Sequence, residues 1–336
     1  MPSSPIPPIA QITLLIPDLI PPPGMGRALW DALDAPCLKR LLARAQWQRG
    51  IASDGPAWLA REFNVAALAP VMAQADGLDA TTGYWLNATP AHVEARRTSL
   101  VLSDPALLML DATASAALAA MLTLHLAGEG LALYAPNPAR WYVRSETPLP
   151  MSSTHPAAAV GRDIQSFAPH VAPHKNAQRL LTEIQMLLHA HPVNETRAER
   201  GALPVNHLWL WGGGVMNTQG KNTKPYTSVH SNDFAVRALA AHTHARCEAT
   251  PAQLNARLLS EDSHLLTSEM LEATLRRDGP DAWSAAVTHL ERDWFQPLVE
   301  LRVETLNIIT SAAEGLQQFI ARPRDKYKIF NKNKYL

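Results

Sequence analysis

The chain has 336 residues, 47% of them hydrophobic and 18% charged, which is material for a large core and more than one small domain needs. Lys+Arg and Asp+Glu balance at 30 each, so no net field draws the chain to nucleic acid or to an anionic membrane. Two cysteines, Cys37 and Cys247, in no CxxC or zinc-like spacing, exclude a disulfide framework and fit a reducing cytoplasmic compartment.

Met1 to Ala10 carries four prolines and no basic residue. The apolar run that follows, Ile12 to Ile16, is stopped by Pro17 and Asp18. It is too short for a signal peptide or for a membrane span, which needs roughly 20 apolar residues. A soluble chain with a buried first strand is predicted. Pro21–Pro22–Pro23–Gly24 forces a turn. Helical spacing then runs from about Arg27 to Gln48, and again from about Pro56 to Gln74, before Asp76–Gly77. Residues 1–78 are predicted to form the first part of an α/β core domain.

The texture changes over 79–150. Tyr84–Leu86, Ser99–Leu102, Leu131–Tyr134 and Trp141–Arg144 are short strand-like runs around one alanine-rich helix. Asp111 or Thr113 is placed to cap that helix and Gly128 to end it. This segment is predicted to be a small α+β insert, with Pro148, Pro150 and Pro156 as the linker out of it. Residues 151–321 complete the core domain. Within them, Leu180, Leu181, Ile184, Leu187 and Leu188 mark a helix from Lys175 to Ala190, stopped by Pro192. His207 to Trp211 makes a strand that runs into Gly212–Gly213–Gly214. A late helix is marked by Trp283, Val287, Leu290 and Trp294, and the tail 322–336 is basic.

The stretch HPVNETRAERGALPVNHLWLWGGG, His191 to Gly214, resembles the HPVNxxRxxxGxxPxxxxWLWGxG signature of the archaeal type of 2,3-bisphosphoglycerate-independent phosphoglycerate mutase. Three features are also similar to a bacterial group, the RpfE-type regulatory proteins (regulation of pathogenicity factors, component E). They are Trp85 to His92, Glu183 to Leu188, and the Trp283–Trp294 region. The resemblance implies a three-layer alkaline-phosphatase-like α/β domain with a mostly parallel sheet, interrupted by the small α+β insert.

For the mutases the resemblance further implies a phosphorylatable serine and two divalent cations, Mn or Zn, held by Asp and His ligands at strand ends. Asp18 matches the first aspartate, after strand one. The glycine and second aspartate of a DGxxD-like turn are missing. For the later DxxxH-type segment the nearest candidate is Glu261–Asp262–Ser263–His264, in the wrong order. Asp18 and His264 are therefore the only metal candidates, and Asp18 the only catalytic one. The expectation is a non-catalytic, mutase-like regulatory protein that binds a small phosphorylated metabolite or a protein partner.

Ligand contacts are expected from Arg197 and Arg200, which suit a phosphate or carboxylate, and from Asn194, Asn206, Gly212, Gly213 and Gly214. Each has a plainer structural counterpart: loop scaffolding for the asparagines, a tight turn for the glycines, helix-end or carbonyl contacts for the arginines. Trp209 and Trp211 are expected in the core, and His242 and His244 on the surface. Two alternatives remain. One is a metal-dependent mutase or phosphatase with a rearranged site using Asp18, the 191–214 loop and some of His230, Asp233 or His264. The other is a structural subunit whose Trp283/Trp294 helix packs on a partner.

Overall fold

The computed structural model describes residues 9–22, 26–149, 151–167, 175–216, 225–259, 263–301, 303–312 and 315–322. The chain begins with β1 (Ile9–Leu15), α1 (Gly26–Ala32), α2 (Pro36–Arg44), β2 (Gln46–Arg49), α3 (Gly55–Glu62) and α4 (Leu68–Ala75). Next come β3 (Tyr84–Ala91), β4 (Val93–Ala95), β5 (Leu100–Leu102), α5 (Ala112–Gly128), β6 (Leu131–Asn137) and β7 (Arg140–Ser145). Then follow α6 (Pro156–Ala159), α7 (Lys175–His189), α8 (Pro192–Glu199) and β8 (His207–Gly214). The last part holds β9 (Ser228–His230), α9 (Phe234–His242), β10 (Arg246–Glu248), β11 (Ser263–Thr267) and α10 (Thr274–Arg277). It ends with α11 (Pro280–Leu290), α12 (Gln296–Glu300), β12 (Val303–Ser311) and β13 (Leu316–Ala321). Apart from Arg322, the basic tail lies outside the described residues, as do Glu261 and Asp262.

Two long helices predicted near the start are interrupted. Pro36 disfavours helix at the residue before it and so opens a new one, α2. The first-turn amides of α2, at Cys37 and Leu38, donate to the buried Glu291 carboxylate at 2.7 and 3.0 Å. Gln46–Arg49 leaves the helix to become an edge strand, with Trp47 opposite Phe319 of β13. The second helix breaks at Asn64, which adopts a left-handed conformation (φ 53°) between α3 and α4.

The chain divides into two compact units, 1–63 with 222–336, and 64–221. The first holds a seven-stranded sheet in the order β10-β9-β11-β1-β12-β13-β2. Its first five strands pair in parallel, and β13 and β2 add antiparallel at one edge. Strand β1 lies inside this sheet with Ile12 and Leu14 fully buried, as its unbroken apolar run requires. Trp283 and Trp294 belong to the same core, 0% and 2% exposed. The helix expected to offer a partner face therefore turns both tryptophans inward.

The second unit carries an antiparallel sheet, β6-β7-β3-β8. Leu118, Leu122 and Leu126 of α5 share its core with Leu180, Ile184 and Leu188 of α7. Asp111 caps α5 by accepting from the Ala114 amide at 2.8 Å. This unit is larger at both ends than the insert predicted over 79–150. The reason is that β8 pairs along β3, with Trp209 opposite Thr89, and α4 packs on both strands. The signature at 191–214 accordingly belongs to the second unit rather than to the large parallel sheet. Among the described residues no helix is long and apolar enough to cross a membrane.

Candidate functional site

The signature residues form a closed hydrogen-bonded scaffold. Helix α7 ends at His189, ahead of Pro192 as expected, and Pro192 then begins a further helix, α8, with the His191 ring accepting from the Val193 amide at 3.2 Å. Asn194 and Arg197 thus lie on a helix, and both are buried. The Asn194 amide nitrogen donates to Leu188 O (2.6 Å) and Val205 O (2.8 Å), while its oxygen accepts from Val205 N (2.8 Å). Arg197 donates to Leu203 O at 3.0 Å and also to Leu108 O. Asn206 exchanges two bonds with the Val93 backbone, 2.8 and 2.9 Å. Arg200, the residue capping the C-terminus of α8, is exposed.

Gly212, Gly213 and Gly214 end strand β8 and are packed against by neighbours. A Cβ at Gly213 would sit 2.4 Å from Leu86 Cδ2, and one at Gly214 2.4 Å from Ala67 Cβ. Gly212, at φ 66°, would place its Cβ 2.9 Å from the Asn87 amide nitrogen. On the side where a Cβ would sit, the space at all three glycines is filled by protein. Trp209 and Trp211 are buried, donating to Thr154 O and Thr89 Oγ1, both at 2.9 Å.

A second constellation forms where the parallel strands β9, β11 and β1 end, the edge at which α/β sheets place ligands. After β1 the chain turns through Asp18, held in a left-handed conformation (φ 55°). Its amide donates to Ser311 Oγ at 3.2 Å, and its carbonyl accepts from Trp283 Nε1 at 2.8 Å. Its carboxylate accepts from the Ala273 amide at 2.9 Å and pairs with Arg276 at 3.3 Å. After β9, Asp233 caps α9 by accepting from Val236 N at 2.9 Å. After β11, Glu269 accepts from Thr267 Oγ1 at 3.0 Å. The buried Ser231 and Thr267 hydroxyls share a 2.6 Å bond.

Glu272 completes the group. Burial, then the charges of Asp233, Asp18 and Glu269, push its carboxyl up to about 8, with Arg276 acting in the other direction. Burial and Asp233 also raise Glu269. At neutral pH Glu272 is mostly protonated and so is a donor, together with Arg276, among acceptors. Sequence reasoning found Asp18 and Asp233 but not Glu269, Glu272 or Arg276. A signal was present. After β11, Glu272 and Arg276 are four residues apart, the separation of acid and histidine in a DxxxH segment, with arginine in the histidine's place.

His264 is elsewhere. It sits inside β11 opposite Ile12, about 10 Å short of the strand end beyond which Asp18 lies. Asp18 is engaged by a guanidinium and a backbone amide. Among the described residues no group of three or more His, Cys, Asp or Glu side chains is placed to hold a metal ion. The donor set does not fit the two-cation centre that the resemblance implies. His242 is half-buried at the end of α9 and His244 is exposed.

No protein-family model matches the chain, and no curated protein matches it. Solved structures similar to the chain include the following two. The cofactor-independent phosphoglycerate mutase from Thermoplasma acidophilum DSM 1728 matches over 97% of this chain and 92% of its own, at 16% identity and TM-score 0.41. The PH0037 protein from Pyrococcus horikoshii matches over 94% of this chain and 88% of its own, at 14% identity and TM-score 0.51. The mutase match is too loose to add to the second. The PH0037 match, over nearly the whole of both chains, is a likeness of fold: a mixed α/β architecture with a large, mostly parallel sheet.

Proposed function

We propose that this protein is a non-catalytic relative of the phosphoglycerate mutases, built on a three-layer alkaline-phosphatase-like domain and kept as a regulatory, ligand-binding protein of the RpfE type. The Asp18–Arg276 pair carries this proposal. Transfer of a phosphoryl group through an enzyme serine on such a scaffold uses two cations ~3.5–4 Å apart. Here a fixed guanidinium neutralises the carboxylate that a cation would need, and the Ser231 hydroxyl at the strand end is buried and tied to Thr267. The donors an incoming ligand meets are Arg276 and protonated Glu272. An anionic group, phosphate or carboxylate, on a small metabolite suits both.

The test is elemental analysis of the purified protein for Mn and Zn, paired with a phosphoglycerate mutase assay and thermal-shift titration with 3-phosphoglycerate. The expected outcome is no stoichiometric metal, no turnover, and a stabilisation by the phosphorylated acid that is lost in Arg276→Ala. Two metals per chain, with turnover abolished by Asp18→Ala, would overturn the proposal.

One observation favours a second reading, that of an enzyme with a rearranged site. A carboxyl pushed up to about 8 can give and take a proton near neutral pH, which is what general acid–base work requires. Turnover of a phosphorylated acid that disappears in Glu272→Gln, with metal absent, would select it.

A further inference from the structure

We infer that the second unit carries its own binding site, for one anionic oxygen of a small ligand, carboxylate or phosphoryl, held by Asn87 Nδ2 and the first-turn amides of α4. The site lies wholly within residues 64–221 and does not rest on the cluster at the ends of β1, β9 and β11.

Asparagine is disfavoured in the middle of a strand, yet Asn87 sits inside β3. It is 3% exposed, and its amide nitrogen has no hydrogen-bond partner among the described residues. Buried amide donors are nearly always paired, because an unpaired one gives up its bonds to water for nothing. The local backbone explains where this one points. Trp85 lies opposite Gly214 and Asn87 opposite Trp211, so Gly212 and Gly213 together face Leu86 alone, as a bulge. Gly212 takes its left-handed φ of 66° there, and the point that a Cβ on it would occupy is 2.9 Å from Asn87 Nδ2. The glycine leaves that point to the asparagine amide.

The same point is 3.8 Å from the Ala69 nitrogen and 3.7 Å from Leu68 Cβ, at the start of α4, which packs on β3 and β8. Asn87 is therefore aimed at a helix N-terminus. That end is buried at Ala67, Leu68 and Ala69. The residue before the helix is Ala67, and no side chain caps it. Pro70 has no N–H, so the first turn presents the Leu68 and Ala69 amides, and neither donates to a described residue. Two backbone donors and one side-chain donor share this corner with no protein acceptor, at the positive end of a helix macrodipole. An anionic oxygen satisfies the set, as oxyanions do at other helix N-termini. Ala66 and Val215 beside it are exposed, and Gly212 to Gly214 are half-buried, so the corner is within reach of solvent.

The test is an amide NMR titration of the full chain with sodium phosphate and, separately, sodium acetate, each against sodium chloride at the same ionic strength. The expected result is a saturable shift of the Ala69 amide and the Asn87 side-chain amide with at least one oxyanion, beyond any change in chloride. Which of the two acts assigns the oxygen to a phosphoryl or a carboxylate group. In Asn87→Asp the side chain brings its own anionic oxygen to the amides, and the Ala69 shift is lost. If that variant fails to fold, Asn87→Leu removes the side-chain donor and weakens the response about tenfold. Arg276→Ala leaves the shift unchanged, which separates this site from the strand-end cluster. An Ala69 amide that neither oxyanion moves would overturn the site and leave Asn87 as the cap of α4 through its own Oδ1. A shift that survives undiminished in the folded Asn87 variant, or disappears in Arg276→Ala, would overturn it as well.

Discussion

The signature around residues 191–214 and the cluster at the ends of β1, β9 and β11 are both rich in polar side chains, but their energetics are opposite. In the signature, Asn194, Arg197 and Asn206 spend their donors on backbone groups of their own unit, and three glycines are filled in by Leu86, Ala67 and Asn87. In the cluster, Asp18 and Ala273 adopt left-handed backbone (φ 55° and 57°), and two carboxyls are pushed up by burial and then by neighbouring carboxylates. The most recognisable residues make structure, and the strained, charge-crowded ones make the candidate site. A motif can be recognisable because its packing tolerates little change.

Breaking the scaffold should have the largest effect. Asn194→Ala takes this partner from the buried Val205 carbonyl and amide, removes one of the two donors on Leu188 O, and is expected to cost about 3 kcal/mol, read as a lower urea midpoint. Loss of ligand response without loss of stability would move this residue from scaffold to site. Gly213→Ala is next, at about 2 kcal/mol, because its Cβ would have to displace Leu86 and the Tyr84 hydroxyl. A cost near zero would show open space at the end of β8.

The smallest effect has the opposite sign. Glu272 has its folded value raised from 4.5 to about 8, so stability is full at acid pH and is lost as pH rises through about 8. Glu272→Gln removes that loss. With allowance for solvent screening of a half-buried group, the variant should gain about 1 kcal/mol at about pH 8.5 and little at about pH 4, read from thermal midpoints. A pH-independent difference would remove Glu272 from the cluster's electrostatics.

Elements whose cause is local were legible in the sequence. Strand β1 follows from its apolar run, α5 from Asp111 at its start, and α7 from leucine spacing. Strand β2 was not legible, because Gln46–Arg49 is mostly polar and becomes a strand only through pairing with β13. The break at Asn64 has a local signal, but helical spacing on either side outweighed it; the stop before Pro192 was legible, whereas the helix that Pro192 opens was not. The site was half legible. Asp18 and Asp233 were found, whereas Glu272 and Arg276 carry the spacing of a ligand pair without its residue types.

By itself the sequence determined the α/β class, the order of strong strands and helices, and the signature, several of whose hydrogen bonds close within a short span. Its determinants are periodicity, caps and prolines, which act over a few residues. Only the tertiary structure decided that the signature serves the second unit and that Asp18 meets Arg276. It also brought Glu272 under the charges of Asp233 and Asp18 and stacked His230 on His264. These contacts join residues tens to hundreds of positions apart. Their strength depends on burial and on the sum of neighbouring charges, which exist only once the parallel strands have assembled.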